Sequence, residues 1–209
     1  MRTLSRLAIV GLALGATAGL ATPASAAPGD PVPSQFQVIQ PTNTKNTLVP
    51  TGSNAGARIV AKPRIGTNRD TPDNQTWTFD RAKKFDAAGK VIKGGIAFVF
   101  QPTFGRAGVR ALCMDVVGDS KSAGAAIELR ACDGTPSQTF TFVGDLQFPL
   151  VRNALSGLQL EVKANGAVVQ EGGIATPAGA SAEEKKALQA RRNAQFFTPR
   201  PREIGVGGA

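Results

Sequence analysis

The sequence has 209 residues, with 24 lysines and arginines against 15 aspartates and glutamates, and it contains no histidine. Without histidine the chain cannot form a Ser-His-Asp or Cys-His pair, and it lacks the usual base near neutral pH and a common metal ligand. Carboxylate-only catalysis would need a matched acidic pair, and the spacing of the acidic residues picks out none. We therefore expect a non-enzymatic protein with no metal and no cofactor.

Positive charge is spread along the chain and gives a formal net charge of +9. Diffuse basicity of this kind favours association with anionic polymers, such as cell-wall phosphates or acidic glycans. Specific recognition of nucleic acid usually adds aromatic residues or a recognisable motif. With one tryptophan, no tyrosine and no such motif, the sequence predicts no specific nucleic-acid partner.

The first 26 residues have the pattern of a secretory signal peptide. Arg2 and Arg6 supply the charged start, residues 7–21 the apolar segment, and residues 24–26 the small-residue cleavage site. The apolar segment is about 15 residues long, against the roughly 20 that a membrane-spanning helix needs. We therefore expect a secreted, extracellular protein with no membrane span rather than one with a retained anchor.

Behind a proline-rich, flexible lead-in, residues 27–34, the chain alternates between short apolar runs and turns rich in Gly, Asn and Pro. Alternation of apolar and polar residues predicts strands. The predicted strands are residues 35–40, 47–49, 58–61, 76–79, 97–101, 110–116, 126–131, 139–143, a segment starting near 146, 157–162 and 168–170. We predict an all-β, single-domain protein that ends in a flexible tail at residues 205–209.

Two segments interrupt this series. Residues 81–95 are charged and glycine-containing, which predicts an exposed hairpin. Residues 172–192 contain a helix, because Ser181 and Glu184 form a capping box and helix-favouring residues follow. Leu188 is its only large apolar residue, so we predict a short surface helix. Each segment is interpreted either as a solvated loop or as a surface for a protein partner.

A three-residue motif, Gln-x-aromatic, occurs three times. Each copy follows a phenylalanine that opens an alternating strand, at distances of 39, 40 and 47 residues. The three copies are Gln75-Thr76-Trp77, Gln138-Thr139-Phe140 and Gln195-Phe196-Phe197, and the phenylalanines are Phe36, Phe98 and Phe148. Internal repetition of this kind predicts three units, at about residues 35–80, 96–143 and 146–199.

The stretch from Leu112 to Phe140 resembles one repeat of a ricin-B-type lectin domain. That repeat reads roughly as Cys-x-Asp-x, a glycine-containing turn, a strand ending at a second Cys, and Gln-x-Trp. The matching residues here are Cys113, Asp115, Gly118, Gly124, Ile127, Leu129, Cys132, Gly134, Gln138 and Phe140. Phe140 stands where the family usually has Trp, and the other two repeats lack the cysteines. The resemblance implies a single β-trefoil over residues 35–204, with the helix inserted in its third repeat.

The same resemblance implies a disulfide between Cys113 and Cys132, which suits an exported chain. It also assigns roles within the repeat. Three glutamines are expected to brace the fold, and their aromatic partners to lie in the core rather than against a ligand. These residues are Gln75, Gln138 and Gln195, with Trp77, Phe140 and Phe197.

In sugar-binding members of the family, an aspartate near the first Cys accepts hydrogen bonds from sugar hydroxyls beside a stacking aromatic ring. The resemblance places a candidate carbohydrate-binding site at Asp115, Arg130, Asp133 and Gln138. Because Arg130 replaces the ring, we expect an anionic or amino glycan rather than galactose. The alternative is an internal ion pair. The first repeat has no acidic residue in this region, and Glu161 is the nearest in the third.

Glycan or cell-wall polymer binding is thus the leading function, and two alternatives stay open. The segment around residues 147–157 and the proline-rich C-terminus resemble parts of the trefoil accessory subunits of cytolethal distending toxins. Such a subunit, or a trefoil inhibitor of secreted proteases, would bind a protein partner through residues 81–95 and 172–192. A scaffold with no ligand is the other alternative.

Overall fold

A computed structural model describes residues 36–41, 45–66, 72–82, 84–86, 88–144 and 149–201. The predicted signal peptide, the lead-in, the tail and Phe148 lie outside these residues. Within the described ranges, no helix is long and apolar enough to cross a membrane.

The described residues form twelve short strands, one α-helix and four single-turn 3-10 helices. The strands are β1 (Phe36–Pro41), β2 (Asn46–Pro50), β3 (Ile59–Pro63), β4 (Trp77–Asp80), β5 (Ala97–Phe100), β6 (Leu112–Val116), β7 (Ile127–Ala131), β8 (Phe140–Val143), β9 (Leu150–Asn153), β10 (Gln159–Val162), β11 (Val168–Glu171) and β12 (Phe197–Pro201). The α-helix is α1 (Ala182–Asn193), and the 3-10 turns are Asp73–Gln75, Gln101–Thr103, Val117–Asp119 and Pro136–Gln138. The predicted all-β class is confirmed.

Six of the strands close into a ring. β1 pairs antiparallel with both β12 and β4, β4 pairs with β5, and β8 pairs with β9. Two isolated bridges complete the circuit: Ile96 with Phe140 links the start of β5 to β8, and Leu150 with Phe196 links β9 to the start of β12. Because the ring closes, none of its six strands is left as an unpaired edge.

The remaining strands form three antiparallel hairpins, β2–β3, β6–β7 and β10–β11. Each hairpin meets the other two through one bridge: Arg58 with Glu128, Ala126 with Val169, and Val60 with Ala167. Each unit of four strands therefore supplies two strands to the ring and one hairpin to a threefold cluster. This is the predicted β-trefoil with three repeats.

The core is built from equivalent positions of the three repeats. Trp77, Phe140 and Phe197, which begin β4, β8 and β12, are fully buried. Phe98 on β5 is also fully buried, and its ring centroid lies 5.4 Å from that of Phe140. Removing one such ring typically costs about 3–5 kcal/mol of stability. All three aromatic residues of the motif therefore lie in the core.

The two cysteines are joined by a disulfide, as predicted. Cys113 lies on β6, and Cys132 directly follows β7, with a Cα–Cα distance of 5.0 Å. Cys113 is buried against Ala97 and Val99. The bridge therefore closes the open end of the second hairpin and fixes it to the ring strand β5.

Helix α1 lies in the third repeat and has the predicted capping box. Ser181 Oγ accepts a hydrogen bond from Glu184 N at 3.2 Å, and Ser181 N donates to Glu184 Oε2 at 2.7 Å. None of the helical residues is buried. The prediction of an inserted surface helix is confirmed.

Candidate functional site

The motif glutamines hold each hairpin to its ring strand. All three glutamines are less than 5 % exposed. Each side-chain amide donates to the backbone carbonyl at the end of its hairpin: Gln75 Nε2 to Pro63 O at 3.2 Å, Gln138 Nε2 to Ala131 O at 2.9 Å, and Gln195 Nε2 to Gly172 O at 3.1 Å. A buried amide that is hydrogen-bonded in this way stabilises the fold.

In the second and third repeats the same glutamine also binds a carboxylate. Gln138 Nε2 donates to Asp115 Oδ2 at 3.1 Å, and Gln195 Nε2 donates to Glu161 Oε2 at 2.8 Å. Asp115 and Glu161 both occupy the next-to-last position of the first hairpin strand. Val49 holds that position on β2, so the first repeat has no equivalent carboxylate.

Asp115 is only 1 % exposed. Its Oδ1 atom is buried and has no hydrogen-bond partner. Burial raises the pKa of this carboxyl above its usual range, while the Gln138 amide and the nearby Ser137 hydroxyl act to lower it. The second repeat thus holds a fixed carboxylate with one oxygen free to accept a further donor.

Arg130 lies beside this carboxylate on the neighbouring strand. Its Nε atom is 3.9 Å from Asp115 Oδ2, and its side chain is 47 % exposed, so the pair is a loose ion pair. A ligand that approaches from solvent therefore meets the guanidinium of Arg130 before the carboxylate of Asp115. Asp115 therefore lies below the more exposed side chain of Arg130.

Asp133 and Gln138 complete the predicted set. Asp133 is exposed, its Oδ1 accepts from Thr135 N at 3.0 Å, and its backbone N donates to Gln138 Oε1 at 3.0 Å. Gln138 is fully buried, and both ends of its amide are engaged within the protein. The structure brings Asp115, Arg130 and Gln138 together, with Gln138 positioning Asp115, and Asp133 is linked to them through its backbone.

Glu161 in the third repeat differs in having a complete set of partners. Lys163 Nζ lies 2.9 Å from its Oε1 atom, and Arg191 Nε lies 3.1 Å from its Oε2 atom. Arg191 belongs to α1, 30 residues along the chain. The sequence showed a polar helix, but no local pattern indicates which side chain of that helix reaches Glu161.

The exposed aromatic ring and the cavities among the described residues lie away from Asp115. Among the described residues, the exposed large apolar side chains are Ile65, Phe85, Val91 and Val109. Phe85 and Val91 face each other across a bridge in the inserted hairpin, so the only ring of this group lies there. Three cavities, of about 430, 440 and 490 Å³, are lined mainly by residues of the third repeat and of this insertion, and Asp115 lines none of the three.

The chain is similar in structure to several solved proteins. A designed threefold-symmetric protein, ThreeFoil, matches with a TM-score of 0.54 and 17% identity, over 78% of this chain and 96% of that one. The Polyporus squamosus lectin, bound to the human-type influenza-binding epitope Neu5Acα2-6Galβ1-4GlcNAc, matches with a TM-score of 0.54 and 13% identity, over 80% of this chain. This chain spans about half of that lectin, 49% of its length.

A chain of the Haemophilus ducreyi cytolethal distending toxin matches with a TM-score of 0.52 and 15% identity, over 86% of this chain and 91% of that one. No family model and no curated protein matches the sequence. At these identities the similarity shows the fold, which is the β-trefoil that the ricin-B-type resemblance implied. The chain is a divergent example of it.

Proposed function

We propose that the protein is an exported, non-enzymatic, carbohydrate-binding β-trefoil, and that its ligand contacts the second repeat through Arg130 and Asp115. The observation that carries this proposal is the unpartnered Oδ1 atom of Asp115. A buried acceptor without a donor is costly for the free protein, and a hydroxyl or ammonium group of a ligand would remove that cost. Because Gln138 and the disulfide fix the carboxylate, little conformational freedom is lost on binding.

Arg130 points to an anionic glycan. Its side chain is 47 % exposed while that of Asp115 is 1 % exposed, so an approaching ligand pairs first with the guanidinium. A carboxylate or sulfate on a sugar can bind a guanidinium through two parallel hydrogen bonds. As Arg130 turns towards that group, a neighbouring sugar hydroxyl or amine gains access to Asp115 Oδ1. The Polyporus squamosus lectin, part of which is similar to this chain, is bound to an epitope that contains the anionic sugar Neu5Ac, which supports the choice of an anionic glycan.

The proposal also states that the protein is exported and that it is not an enzyme. The N-terminal 26 residues have the signal-peptide pattern. The disulfide between Cys113 and Cys132 is of the kind that persists in oxidising compartments. A chain without histidine also lacks the commonest general base. Measuring the mature N-terminus of exported protein would test the cleavage after Ala26 directly.

The function is tested by screening the protein from Ala27 onwards against a glycan array at low and at high salt. We expect binding to a defined set of carboxylated or sulfated glycans that persists at about 0.5 M salt, where the Debye length is only a few ångströms. Binding to all anionic polymers that disappears at high salt would indicate diffuse charge and contradict a specific pocket.

A protein-interaction role is the second candidate, and the inserted hairpin favours it. Phe85 and Val91 are 47% and 49% exposed on a hairpin whose turn is fixed by two hydrogen bonds to Asp86 Oδ1. Exposed apolar side chains on an ordered support are typical of interfaces. Replacing both residues with serine would abolish binding to a protein partner and leave glycan binding unchanged; loss of glycan binding would instead place the sugar at the hairpin.

A further inference from the structure

Two carboxylates of the third repeat share two cations. Glu161 and Glu171 lie on neighbouring strands, and Lys163 Nζ is 2.9 Å from the first and 2.7 Å from the second. Arg191 Nε is 3.1 Å from Glu161 Oε2, and its Nη2 atom is 3.4 Å from Glu171 Oε2. The four charges cancel, so the cluster without Arg191 would carry one net negative charge.

Arg191 reaches this cluster from a helix that has little other attachment. No residue of α1 is buried. The other contacts of its last turn are polar: Arg192 Nη2 donates to Ile174 O at 3.1 Å and to Thr176 Oγ1, and the adjacent Ala194 O accepts from Val162 N at 3.0 Å. Since apolar burial contributes little, these polar contacts hold the helix on the third repeat.

The arrangement has the geometry of a binding site that is already filled. Glu161 is buried, with a side chain 4% exposed, and Gln195 fixes its Oε2 atom at 2.8 Å. Arg191, by contrast, is 44% exposed and lies against the carboxylate from the solvent side. A cavity of about 440 Å³, lined by Asn46, Glu161, Lys163, Gly166, Ala190 and Arg191, opens beside the pair.

We propose that the third repeat contains a guanidinium-binding site that the chain's own Arg191 fills, and that an arginine of a peptide partner takes its place when that partner binds. Glu161 and Glu171, whose side chains are 4% and 15% exposed, accept from two nitrogens of one guanidinium, Nε and Nη2. The planar guanidinium offers these two donors at a fixed spacing, beside the ammonium of Lys163. Because Arg191 lies on the solvent side of Glu161 and its side chain is 44% exposed, an external arginine can reach the same carboxylate when Arg191 leaves it. This site shares no side chain with the glycan site.

The test is to empty the site and refill it with a small probe. Nα-acetyl-arginine amide would be titrated into the Arg191→Ala variant and the unaltered protein, with amide chemical shifts recorded by NMR. We expect saturable shifts at residues 161–163, 171–172 and 195 in the variant, with affinity at least tenfold higher than in the unaltered protein. Nα-acetyl-citrulline amide, which has the same shape without the charge, should give no saturable shifts.

Arg192→Ala is the matched control. It removes the same charge from the same helical turn and breaks the contacts with Ile174 and Thr176, but it leaves Arg191 on Glu161. We expect this variant to bind the probe no better than the unaltered protein. The proposal would be overturned if folded Arg191→Ala, checked by circular dichroism, failed to bind the arginine probe. Equal binding by Arg192→Ala, or equal binding of citrulline, would overturn it as well.

Discussion

The second and third repeats place a carboxylate at the same position, but they differ in how many partners surround it. Asp115 and Glu161 are both buried and both held by the motif glutamine. Glu161 is saturated by Lys163, Arg191 and Gln195, whereas Asp115 has a loose arginine at 3.9 Å and one oxygen without a partner. The same structural position therefore holds an arginine of the chain itself in one repeat and, in our proposal, is open to a glycan in the other.

The largest effect should come from removing the saturated carboxylate. Glu161→Ala removes the hydrogen bonds that Lys163, Arg191 and Gln195 donate to one buried carboxylate, although both cations keep Glu171 as a partner. Hydrogen bonds to a charged group contribute about 1.5–3 kcal/mol each. Urea denaturation followed by tryptophan fluorescence would measure the loss, since Trp77 is the only tryptophan. A loss below about 1 kcal/mol would mean that the two carboxylates do not differ in their structural role.

Removing the disulfide should have the next largest effect on stability. The bridge closes a loop with a sequence separation of 19 residues. The chain-entropy estimate for a loop of this size is about 3 kcal/mol. We expect Cys113→Ala/Cys132→Ala to melt at a lower temperature yet remain folded, because the first and third hairpins have no such bridge. A double variant with the circular dichroism of an unfolded chain would contradict this expectation.

Arg130 can be compared with Arg58, which is also about half exposed and pairs with Glu128 at 3.1 Å. Arg130→Ala and Arg58→Ala remove the same charge from neighbouring hairpins. We expect Arg130→Ala to weaken binding of a carboxylated glycan by about tenfold, or 1.4 kcal/mol, and Arg58→Ala to leave it nearly unchanged. Equal losses in the two variants, measured by calorimetry, would attribute binding to net charge rather than to the site at Asp115.

The smallest effect concerns the pH dependence of stability. The pKa of Asp115 is raised from 3.8 by burial, so its ionised form destabilises the folded state. The protonated carboxyl of Asp115 contributes stability to the folded state at pH values below the pKa that it has in the unfolded chain. This contribution is lost as the pH rises through its raised pKa in the folded state. Asp115→Asn should therefore gain stability relative to the unaltered protein as the pH rises from about 3 to 7. Denaturation curves of both proteins at about pH 3 and about pH 7 would measure this gain. If the difference in free energy of unfolding between the two proteins were the same at both pH values, the carboxylate would be well solvated and the expectation would be contradicted.

The fold could be predicted from the sequence because its signals are local and repeated. The Gln-x-aromatic triplets mark the start of β4, β8 and β12, and the capping box at Ser181 marks the start of α1. Each of these depends on residues that lie within a few positions of one another.

The state of the two carboxylates could not be predicted in this way. Contact between Glu161 and Arg191 joins residues 30 positions apart and depends on how the helix lies against the third hairpin. The burial of Asp115 beneath Arg130 follows from the packing of two strands, and neither side chain signals it alone. A sequence pattern gives the position of a carboxylate, while its partners are set by tertiary packing.

Calorimetric titration of Asp115→Ala with the glycan selected on the array tests the central claim most directly. The account predicts an affinity lower by about 1.5–3 kcal/mol, the usual range for losing hydrogen bonds to a charged group, with the fold intact by circular dichroism. Unchanged affinity in the folded variant would contradict it, because the oxygen that lacks a partner in the second repeat would then have no part in binding.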